Sequence, residues 1–271
     1  MEYFYTSDNV KLYYQIDGTK PKVVVLIHGW SGSKDSFRFQ VQDFAKEYTV
    51  LSFDLRGHGD SEIANDGYTI ERNAQDLKEL LDYLRFDEVV IVGWSLGAHI
   101  AFEYIKQYGC DRLSKLVIVD MSAKLITEKG YDHGLYGDFS ERDNMLYLAK
   151  MNSGWKYFAD YFVPKLYASN VRIDKTLLDK SLSDSYKNST TVMTRMWIAI
   201  TTGDYREVLG KITVPTLITY GMNSTLYKPD NSKYLGEQIS DSLVIGFENC
   251  GHRLMVEDPN SFNKEVITFI G

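Results

Sequence analysis

Apolar positions along this chain follow two rhythms. Val23-Val24-Val25-Leu26-Ile27 and Val89-Val90-Ile91-Val92 are continuous and β-branched, as expected of strands covered on both faces. Around them the spacing turns helical: Phe37, Val41, Phe44 and Tyr48, then Ile70, Ala74, Leu77, Leu81 and Leu84 behind an N-cap at Thr69, then Ala98, Ala101, Tyr104, Ile105 and Tyr108 ahead of a stop at Gly109. Thr49 to Phe53 and Leu116 to Val119 read as further strands, and Tyr3 to Thr6 with Lys11 to Ile16 reads as an opening antiparallel hairpin. This alternation predicts a mostly parallel α/β sheet with helices on both faces.

The alternation stops near Met121. Up to Gly210 the chain is instead rich in aromatics and methionine at helical spacing, which predicts an inserted helical unit. At Val214-Pro215-Thr216 the first rhythm returns, with a strand from Thr216 to Tyr220, a helix near Asp230 to Gln238, a strand near Leu243 to Phe247 and a closing helix from Asp258-Pro259. The expected division is a core of residues 1–120 and 211–271 around an insert of residues 121–210.

Composition narrows the function classes. A chain of 271 residues, 44% hydrophobic, holds a core without crosslinks. Its net charge of −7, with no dense Lys/Arg run, argues against nucleic-acid binding. No apolar run approaches the roughly 18 residues that span a bilayer, and Met1-Glu2-Tyr3-Phe4-Tyr5 lacks the pattern of a secretory signal, so the expected compartment is the cytoplasm. Cys110 and Cys250 read as reduced packing residues. Histidines and cysteines never cluster at ligand spacing, so neither metal nor cofactor is expected.

The chemistry is carried by Gly93-Trp94-Ser95-Leu96-Gly97, set between an expected strand and an expected helix. A sharp turn there lifts a serine hydroxyl above the sheet edge, and the flanking glycines answer the crowding. The amide of Leu96, at the helix N-terminus, then faces any developing oxyanion, and His28-Gly29-Trp30 is placed to give a second donor, the amide of Trp30. His28, and Asp54 and Arg56 in the run Asp54 to Ser61, are expected to hold loops rather than to react. Serine needs a general base. Of the five histidines, His252 is expected to supply it, because its loop lies after the last strand; His99 and His133 read as packing or surface residues.

In order and spacing, these segments together with Val214-Pro215-Thr216-Leu217 and Gly251-His252 resemble the α/β-hydrolase family, within it the cofactor-free haloperoxidase-like esterases and related lactonases. The resemblance covers nearly the whole chain except the insert. It implies an α/β-hydrolase fold with an eight-stranded, mainly parallel sheet, a helical cap after the sixth strand, and metal-free hydrolysis through an acyl-enzyme. One position departs from the family. After the strand Thr216 to Tyr220, members usually read Gly, acid, any residue, Asp, and that Asp orients the histidine; here the run is Gly221-Met222-Asn223-Ser224. Asp120, at the end of the preceding core strand, is the candidate replacement, since a minority of the family takes its acid from that strand, and Ser224 is then expected to contribute little. The other reading makes Asp120 the ordinary Asp of that strand's end and the triad a decayed one.

The function expected is that of a serine hydrolase cleaving small to medium apolar acyl esters or lactones, with Ser95 as nucleophile, His252 as general base and Asp120 as orienting acid. A serine nucleophile argues against haloalkane dehalogenase and epoxide hydrolase chemistry, which uses a carboxylate. The alternatives are a lactonase or carbon–carbon bond hydrolase, and a non-catalytic ligand-binding member of the fold. Trp155, Phe158 and Trp197 are expected to line the substrate pocket.

Overall fold

Eight strands form one sheet in the computed structural model, which describes residues 2–271. In chain order the elements are β1 (Glu2–Tyr5), β2 (Lys11–Asp17), β3 (Val23–Ile27), α1 (Arg38–Phe44), β4 (Thr49–Phe53), α2 (Ile70–Leu84), β5 (Val89–Trp94), α3 (Leu96–Tyr108), β6 (Leu113–Val119), α4 (Glu141–Ser153), α5 (Trp155–Phe162), α6 (Lys175–Tyr186), α7 (Thr190–Thr202), α8 (Arg206–Leu209), β7 (Thr216–Gly221), α9 (Pro229–Gln238), β8 (Ser242–Phe247), α10 (Leu254–Glu257) and α11 (Pro259–Ile270). The strand order is β1-β2-β4-β3-β5-β6-β7-β8. β2 runs antiparallel to both β1 and β4, and every other pair is parallel.

The two-residue period of a strand divides each apolar run between two layers. Val24, Leu26, Val90 and Val92 pack with Phe37, Phe44, Phe262 and Val266 on the side of α1 and α11. Val23, Val25, Ile27 and Ile91 pack with Leu77, Leu81 and Ile100 on the side of α2 and α3. The helix ends follow their caps: the Thr69 hydroxyl accepts from Arg72 N–H at 3.0 Å, and Asp258 accepts from Ser261 N–H at 3.2 Å. Two boundaries differ from the sequence pattern. β6 begins at Leu113, and α1 ends at Phe44, leaving Tyr48 beyond it to pack by its ring on Phe44. The four-residue α10 had no periodic signal because it is too short to show one.

The chain between β6 and β7 carries α4 to α8, and two of these helices, α5 and α7, bring Trp155, Phe162 and Trp197 against the ring of Trp30 just beyond the C-terminal end of β3.

Burial makes three histidines reluctant to charge. It lowers His28 to about 3, with His58 adding repulsion, and lowers His58 and His99 to about 4, against an ordinary 6.5. Below pH 6.5 the unfolded chain takes up protons at these sites that the folded chain refuses, so stability present above that pH is lost as the pH falls. Asp54, raised to about 6 by burial, acts oppositely, because between pH 6 and its ordinary 3.8 only the folded chain binds its proton. Three protons opposed by one predict a loss on the order of 3 kcal/mol per pH unit between pH 6 and 4. Urea denaturation at a series of pH values measures this slope, and a flat profile across that window would contradict the assignment.

Candidate active site

The turn from β5 into α3 is made on one residue. Ser95 adopts φ 54° and ψ −119°, a left-handed conformation that costs a non-glycine residue about 1–3 kcal/mol. Its N–H donates to Val119 O at 3.0 Å, which ties the turn to β6. The glycines on either side are needed for contact rather than for flexibility: a Cβ on Gly97 would lie 2.1 Å from Ile27 O, and one on Gly93 would lie 2.6 Å from Gly97 O. Only without those carbons does the first turn of α3 press against the end of β3.

Asp120 leaves β6 with φ 44°, its N–H donating to Thr219 O at 2.8 Å, and it is almost completely buried. Its Oδ2 accepts from His252 Nδ1 at 2.7 Å and from the Ser224 hydroxyl at 3.0 Å. Because Nδ1 donates to the carboxylate, the neutral imidazole presents Nε2 as its acceptor. Two further groups hold the His252 loop. Trp94 Nε1 donates to His252 O at 2.8 Å, and Glu257 accepts from Gly251 N–H through Oε2 and from Ala168 N–H through Oε1, each at 2.8 Å. Burial pushes the Glu257 carboxyl above its usual range. The sequence pattern signals neither anchor: Trp94 occupies the variable position of the serine motif, and Glu257 belongs to no motif.

Trp30 and Leu96 follow β3 and Ser95 respectively, and among the described residues their amides donate to no other backbone group outside regular secondary structure. The loop that carries Trp30 is fixed by His28, whose Nε2 accepts from Leu55 N–H at 3.0 Å, so that Nδ1 carries the proton and donates to Gly29 O at 2.9 Å. Asp54 accepts from Lys34 N–H and Asp60 N–H, and Arg56 forms a buried ion pair with Asp76, Nε to Oδ2 at 2.7 Å. His99 is buried, its Nε2 bonded to Ser122 O, and His133 stacks on Tyr234. Neither lines the cavity at Ser95.

Ser95 and His252 line one cavity of about 30 Å³, with Trp30, Phe162, Trp197, Leu135 and Tyr227 among its walls and no lysine, arginine or acidic side chain in its lining. Trp197 therefore stands at the cavity, whereas Trp155 and Phe158 do not. Their rings meet Trp30 edge-on, at 5.2 and 6.0 Å, and Trp155 Nε1 is bonded to Ser185 O. The positions share a face of α5, but that face is filled by the Trp30 ring, and only Phe162 at its end reaches the cavity. A larger groove of about 340 Å³, between α2 and α7, touches none of these groups. Among the described residues, no three His, Cys, Asp or Glu side chains are grouped to hold a metal ion, and no helix is long and apolar enough to cross a membrane.

Comparison with known proteins gives similarity along the full length. The chain is 26% identical to the AB hydrolase superfamily protein YisY of Bacillus subtilis, over 98% of each chain. It is 25% identical to a bifunctional esterase/perhydrolase of Acinetobacter calcoaceticus, over 100% of this chain and 99% of that one. A bromoperoxidase structure from Bacillus anthracis superposes with a TM-score of 0.92 at 26% identity, over 99% of each chain. Residues 22–259 match the alpha/beta hydrolase fold family, and the chain belongs to that family, whose members similar to it include esterases and haloperoxidases.

Proposed function

We propose that the protein is a serine carboxylic-ester hydrolase acting on small, uncharged acyl esters. The observation that carries this reading is the 2.7 Å bond between His252 Nδ1 and the buried Asp120 carboxylate, at the wall of the cavity that Ser95 also lines. It gives the imidazole a negatively charged partner although the loop after β7 offers only Ser224. In this mechanism Ser95 Oγ attacks the ester carbonyl carbon and its proton passes to His252 Nε2. Asp120 stabilises the imidazolium, and the amides of Trp30 and Leu96 donate to the carbonyl oxygen as it gains charge. Collapse breaks the bond to the alcohol, which leaves with the proton from His252; water then repeats the sequence on the acyl-enzyme.

The lining supports a neutral substrate. A carboxylate-bearing substrate, lactone or carbon–carbon, finds no cationic side chain in the cavity wall to offset its desolvation. A binding-only role leaves the strain at Ser95 without a use. The helices between β6 and β7 act as the cap, with Trp197 and Phe162 closing the chamber over Ser95.

Turnover of a chromogenic ester series from acetate to octanoate tests the reading. Activity is expected to be highest on acetate or propionate, absent in Ser95→Ala, and lowered in Asp120→Asn by about 10⁴-fold in kcat. Equal turnover by wild type and Ser95→Ala would overturn it. The same series sorts the tryptophans: Trp197→Ala is expected to move the optimum to longer chains. Trp155→Ala is expected to leave the optimum in place and cost about 3–5 kcal/mol of stability, read by urea denaturation. A shift in chain-length optimum with Trp155→Ala but not with Trp197→Ala would reverse the placement of the pocket wall.

A further inference from the structure

The hydroxyl of Ser224 stands where the family usually places its acid, and its surroundings give its proton a single direction. A hydroxyl has one proton and two lone pairs. Here the oxygen faces two backbone donors, Leu226 N–H at 3.3 Å and Tyr227 N–H at 3.4 Å, and a carboxylate oxygen, Asp120 Oδ2, at 3.0 Å. With the lone pairs turned to the two amides, the proton points at Asp120.

The carboxylate depends on it. Asp120 Oδ1 is buried with no hydrogen-bond partner among the described residues, so the donors holding the carboxylate are His252 and Ser224, both on Oδ2. His252 changes charge during the reaction, which leaves Ser224 as the one side-chain donor to Asp120 that stays constant through the cycle. Asp120 itself sits on a left-handed residue at the end of β6, where the backbone alone does not choose the carboxylate's rotation.

We propose that Ser224 is a positioning residue that aims the Asp120 carboxylate at His252, so that the loop after β7 supplies a donor to an acid carried by β6. This rests on the reading of Asp120 as the orienting acid. It also changes the expectation, based on the sequence, that Ser224 contributes little. The titratable groups facing the pair are Tyr227 from the loop before α9, whose ring packs on His252, and Glu257 of α10, while Cys250 and Arg253 are neighbours of His252 in the chain; none of them is hydrogen-bonded to Asp120. Burial keeps Tyr227 well above its usual value and pushes Cys250 to about 12, so both stay neutral at the pH of an ester assay.

The test compares wild type with Ser224→Ala, Ser224→Thr and Asp120→Asn on p-nitrophenyl acetate across pH 5 to 9. Ser224→Ala is expected to lose roughly tenfold in kcat with KM within about twofold, the pattern of a displaced catalytic group with binding intact. A carboxylate no longer aimed at Nδ1 supports the imidazolium less, so the acid limb of kcat/KM is expected to move to lower pH, by about half a unit or more. Ser224→Thr, which keeps the hydroxyl, restores kcat and the position of the limb. Wild-type kcat and an unmoved limb in Ser224→Ala overturn the inference. So does an equal loss in the Ala and Thr variants with no movement of the limb, the mark of a merely structural position. Full activity in Asp120→Asn instead removes the reading beneath it, and that result is separable because it leaves no acid to position.

Discussion

The first turn of α3 touches the last residue of β3, and the site depends on that contact. Gly97 approaches Ile27 O more closely than any side chain allows, which forces the whole reversal from strand to helix onto Ser95. The strand order makes the contact possible. β3 has β4 on one side and β5 on the other, so the chain direction diverges there and opens a crevice at the C-terminal edge of the sheet. Trp30 follows β3 and Ser95 follows β5 at that crevice, and both line the cavity there.

Buried polar groups bonded to backbone hold the loops around this contact. His28 holds the loop of Trp30 as a neutral donor and acceptor, and Asp54 gathers two backbone amides from the neighbouring loops. These residues resemble catalytic groups in composition, yet their bonds are to backbone and the burial of His28 locks it in one protonation state. Ser95 and His252, to which the proposed function gives the reactive roles, differ in one respect: they border empty space.

Legibility in the sequence followed the range of the interaction. The strands of the core and the turn at Ser95 were readable because each is encoded within a few residues, by a β-branched run or a pair of glycines. The contact between Asp120 and His252 was readable by subtraction, since the loop after β7 offers His252 only Ser224 and the end of the neighbouring strand β6 carries a carboxylate. The facing of α5 was not readable: the spacing of Trp155, Phe158 and Phe162 defines a helix face but says nothing of which partner the face meets, and the partner is the ring of Trp30, more than a hundred residues away in the chain. For the same reason the motif around Ser95 showed Trp94 only as its variable residue and not as the donor to His252 O. Ser224 was legible as a missing carboxylate, but its use as a donor needed the distance to Asp120.

Glu257 bonds the amide of Gly251, next to His252, with one oxygen and the amide of Ala168, in the segment between β6 and β7, with the other. A single carboxylate thus ties the His252 loop to the segment that carries the helices between β6 and β7. The position of Ala168 and that of the backbone beside the His252 ring are therefore set by one side chain, so a displacement of either segment is felt by the other.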